Sequence, residues 1–427
     1  MLRSAAVLPL MLCVACGGAS ERASRTEVVD SAGVQLVRNG GQVDTVTLEP
    51  DLTIGTVDGP EELQFFRVSA LAVTPDGGVL VGDGSGTIRH FDSAGAFVRR
   101  FGSRGAGPGE FQRPSAIHLY GDTTAIVDVG LYRITEFDAD GAVLGTIPLR
   151  QERTIVFPTA RANGGWLVQR VTPGWNLEIG KARRDTARVL FADLTQLAPP
   201  DAGNDDGAET PGFRPVVEYE TGRTFGIHYE MNGRSGMTAN SPLWEPSPSH
   251  AVDGSGNIYV AHGAPYRIDV FDADGVRWRS ITRDHTPVPA AGDLNDRYWD
   301  KVNTYLDTSS NRHGEWPITV AAEQGRADLP VNETLPALGR LLVAAEGVLW
   351  ANRPDLAPDP VRLEWSREGT RQDTFWDVFD HEGRFLVTAR LPAAFRPMSA
   401  AQRSMYGVLR DDMDVEHIAR FTLPARD

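Results

Sequence analysis

Cysteine is almost missing from this chain: 427 residues contain two, Cys13 and Cys16, both near the start. Everything beyond them must hold together through an apolar core and backbone ladders, without disulfides and without a Cys-based structural zinc. Lysine is as scarce, at Lys181 and Lys301 only, so nearly all cations are arginines. Positive charge as a whole is short, with 42 Lys and Arg against 57 Asp and Glu, a formal charge of −15. That balance argues against a nucleic-acid partner, because neutralising phosphates needs a basic face. Long apolar runs are lacking too. The run from Ala5 to Ala15 is too short for the roughly 20 residues of a membrane helix, and after the basic Arg3 it reads as a secretory signal. No His-Glu-x-x-His, no Gly-x-Ser-x-Gly elbow and no phosphate loop ending in Gly-Lys-Ser/Thr occurs, so no catalytic residue is assigned.

What the chain has is turns. It carries 44 glycines and 28 prolines, above average but below the roughly 25–30% of a disordered chain. One turn recurs: Phe91-Asp92-Ser93-Ala94-Gly95, Phe137-Asp138-Ala139-Asp140-Gly141, Phe271-Asp272-Ala273-Asp274-Gly275 and Phe379-Asp380-His381-Glu382-Gly383. Each lies between strand-like runs, and the first two are 46 residues apart, within the period of about 40–50 that marks propeller blades. In the first copy, Val68–Val73, Val79–Gly82, Thr87–Phe91 and Ala96–Phe101 read as four antiparallel strands joined by Asp/Gly hairpins. The expected fold is all-β: a six-bladed β-propeller of four-stranded antiparallel blades with short helical insertions. Blades are expected near 65–104, 111–149, 155–197, 247–285 and 335–391. The sixth combines 395–423 with an amino-terminal strand, the candidates being Val28–Val37 and Asp414–Phe421, and pairing the chain ends would remove exposed sheet edges. A seventh blade stays open if 198–246 hides a degenerate copy.

Two resemblances add to this reading. Gly102 to Pro114 resembles the linker between NHL-repeat blades, and Asp253 to Ala261 resembles the first hairpin of such a blade. The resemblance implies a TolB-like six-bladed propeller of the bacterial envelope. Val14-Ala15-Cys16-Gly17 resembles the lipoprotein cleavage box, departing from it at Cys13, where leucine is preferred. It implies a signal peptide over 1–15, a lipid on Cys16 and a flexible tether over 16–26, leaving 27–427 as a single domain. An ordinary cleaved signal is the alternative.

Two stretches break the period, 198–246 and 286–334. In the second, Leu294, Tyr298, Val302, Tyr305 and Leu306 share one helical face, with Asp293 placed to cap the start. A second short helix is expected over Ser399–Leu409. Because function on propellers sits in loops, Tyr229, Trp244, Trp299, Tyr305 and Trp316 are the candidate recognition surface, although such aromatics also serve to pack a lid. The Asp-x-Asp-Gly turns at Asp138 and Asp272 lack the further oxygens of a calcium loop, and no cofactor or metal is assigned. The first functional expectation is a non-catalytic, lipid-anchored scaffold gripping a protein, peptide or glycan partner. The alternative is a lactonase- or esterase-type hydrolase holding an axial Ca2+ by side chains from several blades, which would leave no linear motif.

Overall fold

The computed structural model describes residues 25–41, 44–151, 154–162, 164–171, 180–193, 213–231, 234–290, 292–313, 329–359, 361 and 372–425. Cys16, the signal segment and Trp316 lie outside these residues. Strands dominate, and they assemble into six antiparallel sheets around one axis. Blade one is Ala70–Val73, Val79–Gly82, Ile88–Phe91 and Phe97–Phe101. Blade two is Pro114–Tyr120, Thr123–Asp128, Arg133–Phe137 and Val143–Pro148. Blade three is built on Thr154–Ala162, Gly165–Val171, Ala182–Ala192 and Phe213–Met231. Blade four has Ser249–Val252, Ile258–Ala261, Arg267–Phe271 and Arg277–Arg283, and blade five has Leu341–Val343, Leu349–Asn352, Thr374–Phe379 and Phe385–Leu391. Blade six takes Phe395–Ala401, Ser404–Arg410 and Glu416–Thr422 from the end of the chain and Pro50–Ile54 from its beginning. The first strand of each blade touches the first strand of the next, all the way round. The protein is a six-bladed β-propeller.

Side-chain alternation explains why the blades stand upright. Along Val79–Gly82, Val79 and Val81 join the apolar cluster shared with blade six, while Leu80 joins the one shared with blade two. Both faces are therefore buried, which is why inner strands read as unbroken apolar runs such as Ile258-Tyr259-Val260-Ala261. Each of the six seams between neighbouring blades holds one such cluster. The recurrent turn has the same geometry in blades one, two, four and five. Asp92 Oδ1 accepts from the backbone N–H of Ala94 at 3.0 Å and of Ala96 at 2.8 Å, and Asp138, Asp272 and Asp380 repeat the pattern. The carboxylate that could have faced a cation thus caps its own hairpin.

The turn glycine is required by both conformation and space. Gly275 has φ +85°, and a Cβ there would lie 2.0 Å from the Val216 carbonyl oxygen of blade three. Gly33, with φ +80° and nothing within 4 Å, isolates the conformational part. Gly275→Ala is expected to lose about 1–3 kcal/mol more than Gly33→Ala in paired urea titrations. Equal losses would mean that blades three and four do not meet there.

Three sequence expectations are corrected. Residues 399–409 are not a helix but parts of Phe395–Ala401 and Ser404–Arg410, joined through Gln402 at φ +50°. Ser404 to Val408 are all buried, and burial on two faces between blades five and one erases the polar alternation that would have marked strands. The stretch 198–246 is not wholly an insertion, because Phe213–Met231 supplies the outer strand of blade three, and no seventh blade exists among the described residues. Finally, Val28–Val37 does not close the ring. Arg25–Ser31 and Val34–Gly40 form a hairpin whose second strand runs parallel along the outer strand of blade four. Thr45–Thr47 then lies parallel along the outer strand of blade five, and Pro50–Ile54 pairs antiparallel with Glu416–Thr422 to complete blade six. Asn39 pins this strap, its Nδ2 donating to the Gly383 carbonyl at 3.0 Å and its Oδ1 accepting from the Phe385 N–H at 2.9 Å.

Candidate functional site

In every blade the first strand begins at the end where the linker from the previous blade arrives, and the loop between second and third strands opens on that same side. A short motif recurs there: Phe65-Phe66-Arg67-Val68-Ser69-Ala70 before blade one, Phe111-Gln112-Arg113-Pro114-Ser115-Ala116 before blade two, and Phe395-Arg396-Pro397-Met398-Ser399-Ala400 opening blade six. Arg340 holds the corresponding place just before Leu341–Val343 of blade five. All four arginines are exposed. Arg340 Nη1 donates to the Pro397 carbonyl at 3.1 Å, and Arg396 Nη2 donates to the Val68 carbonyl at 2.7 Å. Each guanidinium thus crosses a seam to the main chain beside the next arginine, which lays the cations around one mouth of the axis. Arg67 lies over the ring of Phe66, 5.0 Å from its centroid, and that ring is 58% exposed. Arg113 lines an open cavity of about 480 Å³ together with Arg104, Gln112 and Tyr132. Desolvation, and then the charge of Arg396, push Arg340 below the usual arginine range.

Deeper on this side, the seam between blades four and five holds a buried ionic network. Asp377 Oδ2 accepts from Tyr266 Oη at 2.6 Å, Arg283 Nη1 at 2.5 Å and Arg353 Nη1 at 2.7 Å, and its Oδ1 accepts from Thr388 Oγ1 at 2.5 Å. Arg353 forks onto both oxygens of Asp355, which also meets His285 Nε2 at 2.9 Å. Burial alone would raise Asp377, but the charges of Arg353 and Arg283 and the two hydroxyl donors hold it below the usual carboxylate range. Burial first, and then the Asp377 charge, drive Tyr266 far above the usual tyrosine range. Three donors crowd Oδ2 of Asp377 and a fourth holds Oδ1, so the carboxylate is fixed as the acceptor of a structural network.

A second buried carboxylate, Asp269, has the components of a catalytic relay in a different order. Ser280 Oγ donates to its Oδ1 at 2.7 Å, and His262 Nε2 meets its Oδ2 at 2.9 Å. Serine and histidine both address the aspartate, whereas a relay needs the serine on the histidine. Among the described residues no three His, Asp or Glu side chains converge as metal ligands, and the mouth presents arginines.

The long insertions rise on the same side as the arginines. Ala182–Arg184, Arg223–Met231 and Arg234–Asn240 continue past the body of blade three as a ribbon. The helix Gly292–His313 packs against it through Trp299 and Val302, which meet Phe225, Ile227 and Leu243. The helix outruns the expected segment, and Asp293 lies in its first turn. Trp244, at φ +61°, is half-buried in this cap and donates from Nε1 to Asn295 Oδ1 at 2.8 Å. Lys301 Nζ and Arg297 Nη2 reach Asp359 at 2.5 and 2.6 Å, tying the helix to blade five. Of the candidate aromatics, Trp299 is buried and packs the cap, with Trp244 beside it. Tyr229 stands in the ribbon opposite Gly236, and Tyr305 lies in the helix. Sequence reasoning missed the arginines. Their signal was the Arg-x-Ser-Ala tail shared by Arg67 and Arg113, which repeats at the blade period.

A family model described as a 6-bladed beta-propeller (DUF5128) matches residues 79–174. No curated protein matches the chain. Among solved structures, a protein described as exported from Bacteroides fragilis is 11% identical, covers 90% of this chain and 100% of its own, and superposes with a TM-score of 0.43. A DUF4221 family member from Bacteroides vulgatus is 10% identical over 89% of this chain and 98% of its own, with a TM-score of 0.47. Virginiamycin B lyase from Staphylococcus aureus is 8% identical over 87% and 99%, with a TM-score of 0.39. None of these similarities carries a function to this chain.

Proposed function

We propose that the chain is a non-catalytic binding scaffold of the bacterial cell envelope, tethered by a lipid on Cys16, which recognises a protein, peptide or glycan partner with the face where the inner strands begin. One observation carries the reading: the ribbon, the helix and the arginine mouth, which together depart from the repeating blade plan, all gather on that face. The supporting chemistry is negative in kind. The buried carboxylates of this face, among them Asp377, Asp355, Asp83 and Asp128, accept from structural donors, and Ser280 and His262 do not address each other.

The test is capture from envelope extract by immobilised protein, with and without residues 290–316. The intact protein should retain a stoichiometric partner that the shortened form loses while keeping its β-sheet circular dichroism. Turnover of an ester or lactone by the purified protein, abolished by chelation, would overturn the scaffold reading in favour of a metal-dependent hydrolase.

A further inference from the structure

The arginine mouth has a charge problem that the protein does not solve by itself. Among the described residues none of Arg67, Arg113, Arg340 and Arg396 forms an ion pair with a carboxylate. Arg340 and Arg396 are neighbours of like charge, and the contact that joins them runs from a guanidinium to a carbonyl. Glu416 is the carboxylate whose charge reaches Arg396, but its oxygens already accept from Arg410 Nη2 at 2.8 Å and from the Val68 N–H at 2.7 Å. A guanidinium has five N–H donors, and Arg340 and Arg396 each spend one on a carbonyl. The remaining donors sit on a face that also holds the buried carboxylates Asp83, Asp128 and Glu416, each already accepting from backbone or arginine donors. Of the four mouth arginines, Arg113 lines the 480 Å³ cavity, with Arg104, Gln112 and Tyr132, within the roughly 300–1,000 Å³ range of small-ligand sites.

We infer that this mouth binds a compact polyanion, a ligand or ligand terminus carrying at least two carboxylate or phosphate groups placed to bridge arginines of neighbouring blades. The inference rests on the scaffold reading of this face and specifies what the face grips. Guanidinium forks match planar and tetrahedral oxyanions by paired N–H donors. A long polyanion such as nucleic acid is disfavoured, because beyond the mouth it would meet the acidic surface.

The test is calorimetric titration and thermal shift of the whole folded protein in low-salt buffer. The probes are citrate, pyrophosphate and trigalacturonate, with maltotriose as a neutral control. The anions should bind and raise the melting temperature, less so as salt is added, and maltotriose should not. Citrate against pyrophosphate decides between carboxylate and phosphate. The double variant R340Q/R396Q should bind about tenfold or more weakly, as expected for lost charge-assisted hydrogen bonds. Its unliganded melting temperature reads the two lost carbonyl contacts separately from the anion response. A purely structural pair of arginines would leave the anion response intact. R113Q, which disturbs neither carbonyl contact, gives the same readout if the double variant does not fold. Absence of any anion-specific shift at millimolar probe, or parental affinity in both variants, overturns the inference. If the anions fail but the envelope partner is still captured, only this inference falls; if they bind and are turned over, the scaffold reading falls and the anion site stands.

Discussion

Asp377→Ala is expected to destabilise the propeller by about 3–5 kcal/mol, the cost of removing one partner from a buried ionic network. The loss has little to do with the attraction in the intact network, much of which offsets the desolvation of its members. It comes from what is left behind: Arg283, nearly inaccessible, and the Tyr266 and Thr388 hydroxyls would lose their acceptor, while Arg353 would keep only Asp355. Tyr266→Phe removes one donor of four and should cost about 1 kcal/mol. Denaturant midpoints at unchanged slope measure both. A loss below about 1 kcal/mol for Asp377→Ala would mean that water enters the seam. The sign with pH is fixed as well. Because the folded carboxyl is held below its ordinary value of 3.8, its contribution is complete above that value and is lost as pH falls through the folded one.

The second large effect is acid lability at higher pH, and it comes from two histidines. His118 is enclosed between blades two and three, edge-on to Trp166 at 5.3 Å between ring centroids, and burial pushes it down to about 4. His250 meets the Tyr219 hydroxyl at 2.9 Å through Nδ1, and burial pushes it down to about 4 as well. Unfolded, both titrate near 6.5. Between these values the unfolded chain binds protons that the folded one refuses, so stability is full above 6.5 and falls as the pH drops toward 4. The difference is about 3 kcal/mol for each histidine. Melting temperature against pH should therefore slope steeply from 6.5 to 4, and His118→Leu should remove about half of that slope while leaving the protein folded at pH 7. An unchanged slope in the variant would move the acid lability elsewhere.

The two ionic systems also mark where sequence reading stops. Blades one, two and four were legible because the Phe-Asp-x-x-Gly turn is local: one carboxylate, two backbone N–H groups and a glycine at positive φ within five residues. The Asp377 network joins residues from Tyr266 to Thr388 across two blades, and no spacing announces it. Pro50–Ile54 was missed because a five-residue outer strand carries almost no pattern; Val28–Val37, longer and more apolar, looked the better candidate, yet Val28 is 44% exposed. The helix facing the ribbon was legible from Leu294, Tyr298 and Val302, but its partner was not, since no spacing ties Phe225 and Ile227 to a helix so far along the chain. Arg67 and Arg113 carried a readable signal in their shared Arg-x-Ser-Ala tail, whereas Arg340 and Arg396 stand outside that motif and have none.

The amino-terminal strap has a consequence for how the molecule comes into being. Pro50–Ile54 is among the first segments synthesised, yet its mate, Glu416–Thr422, is among the last. The entropic cost of joining them grows only with the logarithm of the intervening length, but the wait is absolute: no partial product can complete its circle. The earlier seams can form while Pro50–Ile54 stays without its partner. Glu416–Thr422 therefore acts as a latch for the ring, and a product ending before residue 416 keeps an open flank for proteases to find.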